Sequence, residues 1–99
     1  MENLTLEDFS QHMNSKFMIG VEGADAIGLE LVEAEDIGST LQHEQFSIVF
    51  RGPNDRLLPQ GIYSVEHNEL EKFDLFIVPI RQDQNGIYYE AIFNRPRLP

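Results

Sequence analysis

The 99-residue chain has no cysteine. It therefore has no disulfide framework, no thiolate metal site and no cysteine nucleophile, and it fits a cytoplasmic setting. Basic residues are scarce as well: seven Lys and Arg stand against seventeen Asp and Glu, a formal charge of −10. Such a field repels phosphate backbones, so nucleic acid is not an expected partner, and an anionic membrane surface is disfavoured on the same ground. No apolar run approaches the roughly 18 residues of a membrane-spanning helix. The opening Met1-Glu2-Asn3-Leu4 is acidic and lacks the apolar stretch of a signal peptide. There is no internal repeat and no low-complexity tract. The acidic balance reads first as a solubility feature; a basic partner protein is the sharper alternative.

What is present is strand pattern with one short helix. Leu4 to Met13 carries Leu6, Phe9 and Met13 at helical spacing, with Thr5 as cap and Asp8 completing a weak capping box. A helix that short cannot stand alone and must dock on the sheet. Lys16 to Val21 and Ile27 to Ala34 alternate around a Glu22–Asp25 turn. The hairpin they predict sets Phe17 opposite Leu31, Ile19 opposite Leu29 and Val21 opposite Ile27. The next strand runs from about Glu44 to Arg51, and after a loop with two prolines comes another, Gln60 to Glu66. Their antiparallel pairing would place Phe50 against Gly61, Ile48 against Tyr63, Phe46 against Val65 and Glu44 against His67. Phe73 to Ile80 is apolar on both parities, which predicts a strand covered on both faces, the helix supplying the second cover. Pro79 lacks an N–H, so an edge or a bulge is expected there. Asn85-Gly86 is a hairpin turn leading into Ile87 to Phe93.

The expected fold is mainly β: a six-stranded antiparallel meander forming a small barrel, roll or sandwich, with one N-terminal helix at about 4–13 packed on it. Residues 1–94 would form the single domain and 95–99 a flexible tail.

Four ordered stretches carry a family likeness: Phe46-Ser47-Ile48-Val49-Phe50-Arg51-Gly52-Pro53, Leu58-Pro59-Gln60-Gly61-Ile62-Tyr63-Ser64-Val65-Glu66-His67, Leu75-Phe76-Ile77-Val78-Pro79-Ile80 and Tyr89-Glu90-Ala91-Ile92-Phe93-Asn94. Through them the chain, from Leu4 to Asn94, resembles a small bacterial family, domain of unknown function 6916, seen near phage-tail-collar-type proteins. The resemblance implies a stand-alone module in a phage-like or secreted assembly. It brings no activity and no catalytic residues.

Candidate site residues are few. The expected register would gather His43, Glu44, Glu66 and His67 at one sheet end, a set able to ligate zinc or simply a solvated polar rim. Ser47 and Ser64 would face each other as a cross-strand hydrogen-bonded pair. No Gly-x-Ser-x-Gly elbow exists, and the carboxylate clusters are those any acidic chain produces. An enzyme is not expected, and no cofactor is implied. The loop after Phe50 is the leading candidate: Arg51, Asn54, Asp55 and Arg56 lie beside Leu57 and Leu58, with Tyr63 close behind. Such a loop either presents a binding surface or turns its leucines inward to plug the barrel while Arg51 pairs with an acid. Pro96-Arg97-Leu98-Pro99 has the spacing of a groove ligand, or is a loose end. The expected function is a non-enzymatic protein-interaction or assembly module binding another protein or itself as a homo-oligomer. The alternative is a binder in which Arg51, Arg56 and a tyrosine hold a small anion such as a nucleotide signal.

Overall fold

Alternation of apolar and polar residues separates an inside from an outside along most of the chain, and the strands close on themselves accordingly. The computed structural model describes residues 4–97. Its elements are α1 (Leu6–Ser10), β1 (Lys16–Ile19), β2 (Ile27–Asp36), β3 (His43–Gly52), β4 (Gly61–His67), β5 (Leu70–Asp83) and β6 (Gly86–Pro96). The strands are antiparallel and form a closed barrel in the order β1-β2-β3-β6-β5-β4. Phe17, Ile19, Leu29, Leu31, Phe46, Ile48, Phe50, Val65, Ile77, Tyr89 and Ala91 are buried inside it. Each large side chain so buried contributes roughly 1.5–3 kcal/mol of transfer free energy.

Six antiparallel strands with one short helix are as expected, and of the barrel, roll and sandwich the chain takes the barrel; the neighbour order is not the expected one. β3 and β4 are not paired, so the contacts Phe50–Gly61, Ile48–Tyr63, Phe46–Val65, Glu44–His67 and Ser47–Ser64 do not form. Instead β3 pairs with β6 along its whole length, from His43 beside Pro96 to Gly52 beside Ile87. The reason is the connection: Pro53 to Gln60 is too long for a tight hairpin and crosses one end of the barrel, leaving β3 free to take the longer strand. Gly52 and Gly86 allow that pairing to close. A Cβ on Gly86 would lie 2.4 Å from the Gly52 carbonyl oxygen, and its φ of +155° is one side chains rarely adopt.

The β1–β2 register differs from expectation by two residues, with Phe17 beside Leu29 and Ile19 beside Ile27. Both registers keep the apolar residues inward. The observed one is extended beyond Lys16 by the Leu31 N–H to the Ser15 carbonyl at 3.1 Å and the Asn14 N–H to the Leu31 carbonyl at 2.7 Å, while at the other end the Gly20 N–H turns to the Ser64 carbonyl of β4 at 2.8 Å. At Pro79 the ladder with β6 has the expected bulge, between Pro79 and Arg81.

The helix has the expected cap: Thr5 Oγ1 accepts from the Asp8 N–H at 3.2 Å, and Asp8 Oδ2 accepts from the Thr5 N–H at 2.9 Å. It is shorter than 4–13: Gln11 caps it, the His12 N–H turns back to the Phe9 carbonyl at 2.9 Å, and by Asn14, in the left-handed region, the N–H bonds the Leu31 carbonyl at 2.7 Å. It also does not cover the outer face of β5, where Phe76 and Ile80 stay exposed. Phe9, fully buried, plugs the barrel end among the rings of Phe17, Phe46, Phe73 and Phe93, at centroid distances of 5.4–6.2 Å. On β5, Phe73, Leu75 and Ile77 point inward while Phe76 and Ile80 are exposed. The strand buried on both faces is β3, where every residue from Phe46 to Phe50 is buried.

β6 continues into the expected tail. Arg95 donates to Glu44 at 3.0 Å and to the Leu4 carbonyl, and the Arg97 N–H reaches the Gln42 carbonyl at 2.9 Å. Leu98 and Pro99, half of the proline-spaced motif, lie outside the described residues.

Candidate functional site

The loop after Gly52 divides its residues between anchoring and exposure. Asn54 donates to the Asp83 and Gln84 carbonyls at 3.0 and 3.2 Å and accepts from the Gln82 side chain at 2.7 Å, fastening the loop to the β5–β6 hairpin. Leu58, 3% exposed, enters the barrel end. Its N–H donates to the Tyr89 hydroxyl at 3.0 Å, and burial pushes the Tyr89 phenol up. Tyr63 donates its hydroxyl to the Pro59 carbonyl at 2.5 Å. Leu57 turns the other way and is 61% exposed, beside exposed Asp55 and Arg56. Arg51 lies on the outer wall next to Tyr88, and its guanidinium donates to Glu30, which raises its pKa further. Arg51 and Arg56 are therefore not two jaws of one mouth: one is engaged on the wall, the other extends from the loop, and Leu58 fills the end between the strands.

The His-Glu set is also taken apart by the true register. His43 meets the Asn94 side-chain oxygen, Glu44 receives Arg95, and His67 belongs to β4 on a different part of the ring. Among the described residues no group of three or more His, Asp and Glu is placed to hold a metal. His67 joins a different cluster. Its Nδ1 accepts from the Glu69 N–H at 3.0 Å, and its Nε2 lies 2.9 Å from Ser15 Oγ. Ser15 Oγ in turn donates to the His12 carbonyl at 2.5 Å. The His12 ring packs edge-on to that of His67 at 4.8 Å, with Nδ1 2.7 Å from the Asp8 carbonyl and Nε2 3.3 Å from Glu69. The Asp8 carbonyl, helped by Glu69, raises the His12 pKa, while burial and the neighbouring His12 lower that of His67. The residues lie far apart in sequence, and no local spacing announces the pair.

Two open hollows flank this end, about 520 Å³ beside Glu7, Asp36, Glu44 and Arg97, and about 310 Å³ beside Lys16, Glu66, His67 and Lys72. Neither reaches Arg51.

The least ordinary feature lies on the outer wall. Ile62 and Phe76 pair directly across β4 and β5 and are 71% and 50% exposed. On β6, Glu90 is level with Val78, so Ile92, two residues on and 53% exposed, falls level with Phe76, two residues before Val78. Three large apolar side chains on three successive strands thus face outward in one row. Asp74, paired with Ser64, borders the row on one side and Glu90 on the other; Glu35 lies beyond Ser47, the β3 partner of Ile92. The apolar second parity of Phe73 to Ile80 was the sequence signal for this row.

A family model, Domain of unknown function (DUF6916), matches residues 4–93. The chain belongs to this family. No curated protein and no solved structure matches it. The DUF6916 match takes in the Phe9 plug, the Leu58 plug and the whole Ile62–Phe76–Ile92 row. What the row can do is chemically plain: exposed branched and aromatic side chains on paired strands gain free energy when another apolar surface removes them from water.

Proposed function

We propose that this DUF6916 domain is a non-enzymatic protein-interaction module that docks a partner protein on the outer face of β4, β5 and β6. The observation that carries the reading is the Ile62–Phe76–Ile92 row. Three exposed large apolar side chains at one height of a barrel wall cost solubility unless something covers them, and a rigid sheet presents them without further ordering entropy. The loop at 53–60 supports this assignment by contrast, since Asn54 and Leu58 are spent on holding the fold. The setting we assign is the bacterial cytoplasm, in a phage-tail-like assembly, in keeping with the family resemblance.

The test replaces Ile62 and Phe76 together by serine. Both are exposed, so the doubly substituted protein is expected to keep its far-UV spectrum and melt within a few degrees of the parent. It should lose the partner that the parent retains in crosslinking and co-purification, whereas Arg56→Ala with Leu57→Ser should retain it. Full retention by the Ile62/Phe76 variant would refute the reading.

A further inference from the structure

The character of the docked partner can be read from the charges around the row, given the docking reading above. Asp74, Glu90 and Glu35 border Ile62, Phe76 and Ile92 on the same outer face. None of the three has an ion pair among the described residues. The cations on β3, β5 and β6 are already engaged: Arg51 with Glu30, Arg81 with Glu33, Lys72 with Glu66 and Arg95 with Glu44. An apolar row with an unneutralised acidic border thus sits on a chain of net charge −10.

That border selects among occupants. A second copy of this chain would bring the same acids against themselves, and each copy carries the same net charge, so self-docking is opposed at short and long range. A partner with lysine or arginine beside its apolar anchors meets complementary charge instead, which steers encounter as well as register. The spacing narrows the choice further. Neighbouring strands lie about 4.8 Å apart, so the row offers one anchor point per strand over roughly 10 Å. An α-helix returns to the same face about every 5.4 Å, so apolar residues at i, i+3 or i+4, and i+7 present three anchors over nearly the same length.

We infer that the Ile62–Phe76–Ile92 row receives an amphipathic helix of a partner protein whose apolar stripe is flanked by lysine or arginine. The helix lies across β4, β5 and β6, its stripe on the row and its cations towards Asp74, Glu90 and Glu35.

Isotope-labelled full-length protein, titrated with three synthetic helical peptides, tests this. One has a leucine stripe flanked by lysines, the second the same stripe flanked by glutamates, and the third the lysines with serine in place of leucine. The first should shift the amide signals of Ile62, Phe76 and Ile92 and bind at least tenfold more tightly than the other two. Its affinity should fall with added salt. Asp74→Asn, Glu90→Gln and Glu35→Gln should each weaken it by about two- to five-fold, the range for exposed charge pairs, whereas Glu22→Gln with Asp25→Asn should not. Equal binding of the glutamate peptide at the row would overturn the basic-helix inference while leaving protein docking intact. Equal binding of the serine peptide, signals moving only elsewhere, or no binding by any peptide would overturn it too. So would sedimentation showing dimers that the Ile62/Phe76 serine variant abolishes. Failure of the docking reading itself is read separately, from partner retention by that same variant.

Discussion

Phe9 and Phe76 are both phenylalanines in apolar patterns, and the fold assigns them opposite environments. Phe9 has no exposed surface and touches four aromatic rings drawn from β1, β3, β5 and β6. Truncating it to alanine removes a ring from a site that cannot collapse, because its neighbours are held by four different strands. A buried Phe→Ala change costs about 3–5 kcal/mol. Against a total stability on the order of 5–15 kcal/mol for a domain of this size, that is a large share. At about 4–8 °C per kcal/mol for a domain of up to roughly 100 residues, the melting temperature should fall by about 12–40 °C. Phe76→Ala removes a ring that is half in water and should cost under about 1 kcal/mol. Urea unfolding followed by circular dichroism measures both, and the slope with denaturant shows whether two-state unfolding persists. Equal losses for the two variants would refute the assignment of Phe9 to the barrel end and Phe76 to its outer wall.

Two further predictions concern the ends of the barrel. Tyr89→Phe deletes the acceptor of the buried Leu58 N–H and should destabilise by about 1–3 kcal/mol, with faster exchange of the Leu58 amide; an unchanged exchange rate would mean the loop plug does not depend on that bond. The His12–His67 cluster should give stability an optimum in pH. His12 has a raised pKa, so its contribution is complete below the ordinary histidine value of about 6.5 and is lost as pH rises through the raised one. His67 has a lowered pKa, so its cost appears as pH falls below about 6.5 and is complete below the lowered value. Subtracting the stability profile of His12→Gln from that of the parent should isolate the alkaline limb, and His67→Gln the acid limb. Flat differences would show that the two rings are not coupled to folding.

The strands were legible because alternation and turn residues are local. Asn85-Gly86 marked the β5–β6 turn, Pro79 marked a bulge, and Thr5 with Asp8 marked the helix start. Strand order was not legible, since every strand of a closed barrel has two neighbours and a tight turn identifies at most one. The β1–β2 register was ambiguous for a related reason: moving the pairing by two residues preserves every inward face, and the observed pairing is the one that Asn14 and Ser15, just before β1, extend by bonding Leu31. Helix length failed similarly. Met13 continues the apolar stripe, but the helix is already capped at Gln11 and the chain turns through His12 to Asn14, which bonds Leu31.

The candidate site moved for a physical reason that the two plugs supply. With Phe9 in one end and Leu58 in the other, the described barrel interior is filled by side chains, so a partner meets only the outer wall and the loops. On that wall most large side chains are charged or are covered, as Tyr88 is by the Arg81 guanidinium 4.2 Å from its ring. A strand apolar on both parities has two physical solutions: it is covered on both faces within the domain, or it keeps one apolar face for something outside. In this fold β3 is covered on both faces while β5 leaves Phe76 and Ile80 exposed, and the difference lies in the neighbours. β3 runs between β2 and β6, whose Glu33 and Glu90 pair on either side of Val49, so long side chains can shelter its outer face. Around Phe76 the neighbours on β4 and β6 are themselves apolar, Ile62 and Ile92, and nothing in the described chain covers the three. The proposed docking face therefore lies on the wall of β4, β5 and β6, whereas Arg51 is already engaged by Glu30.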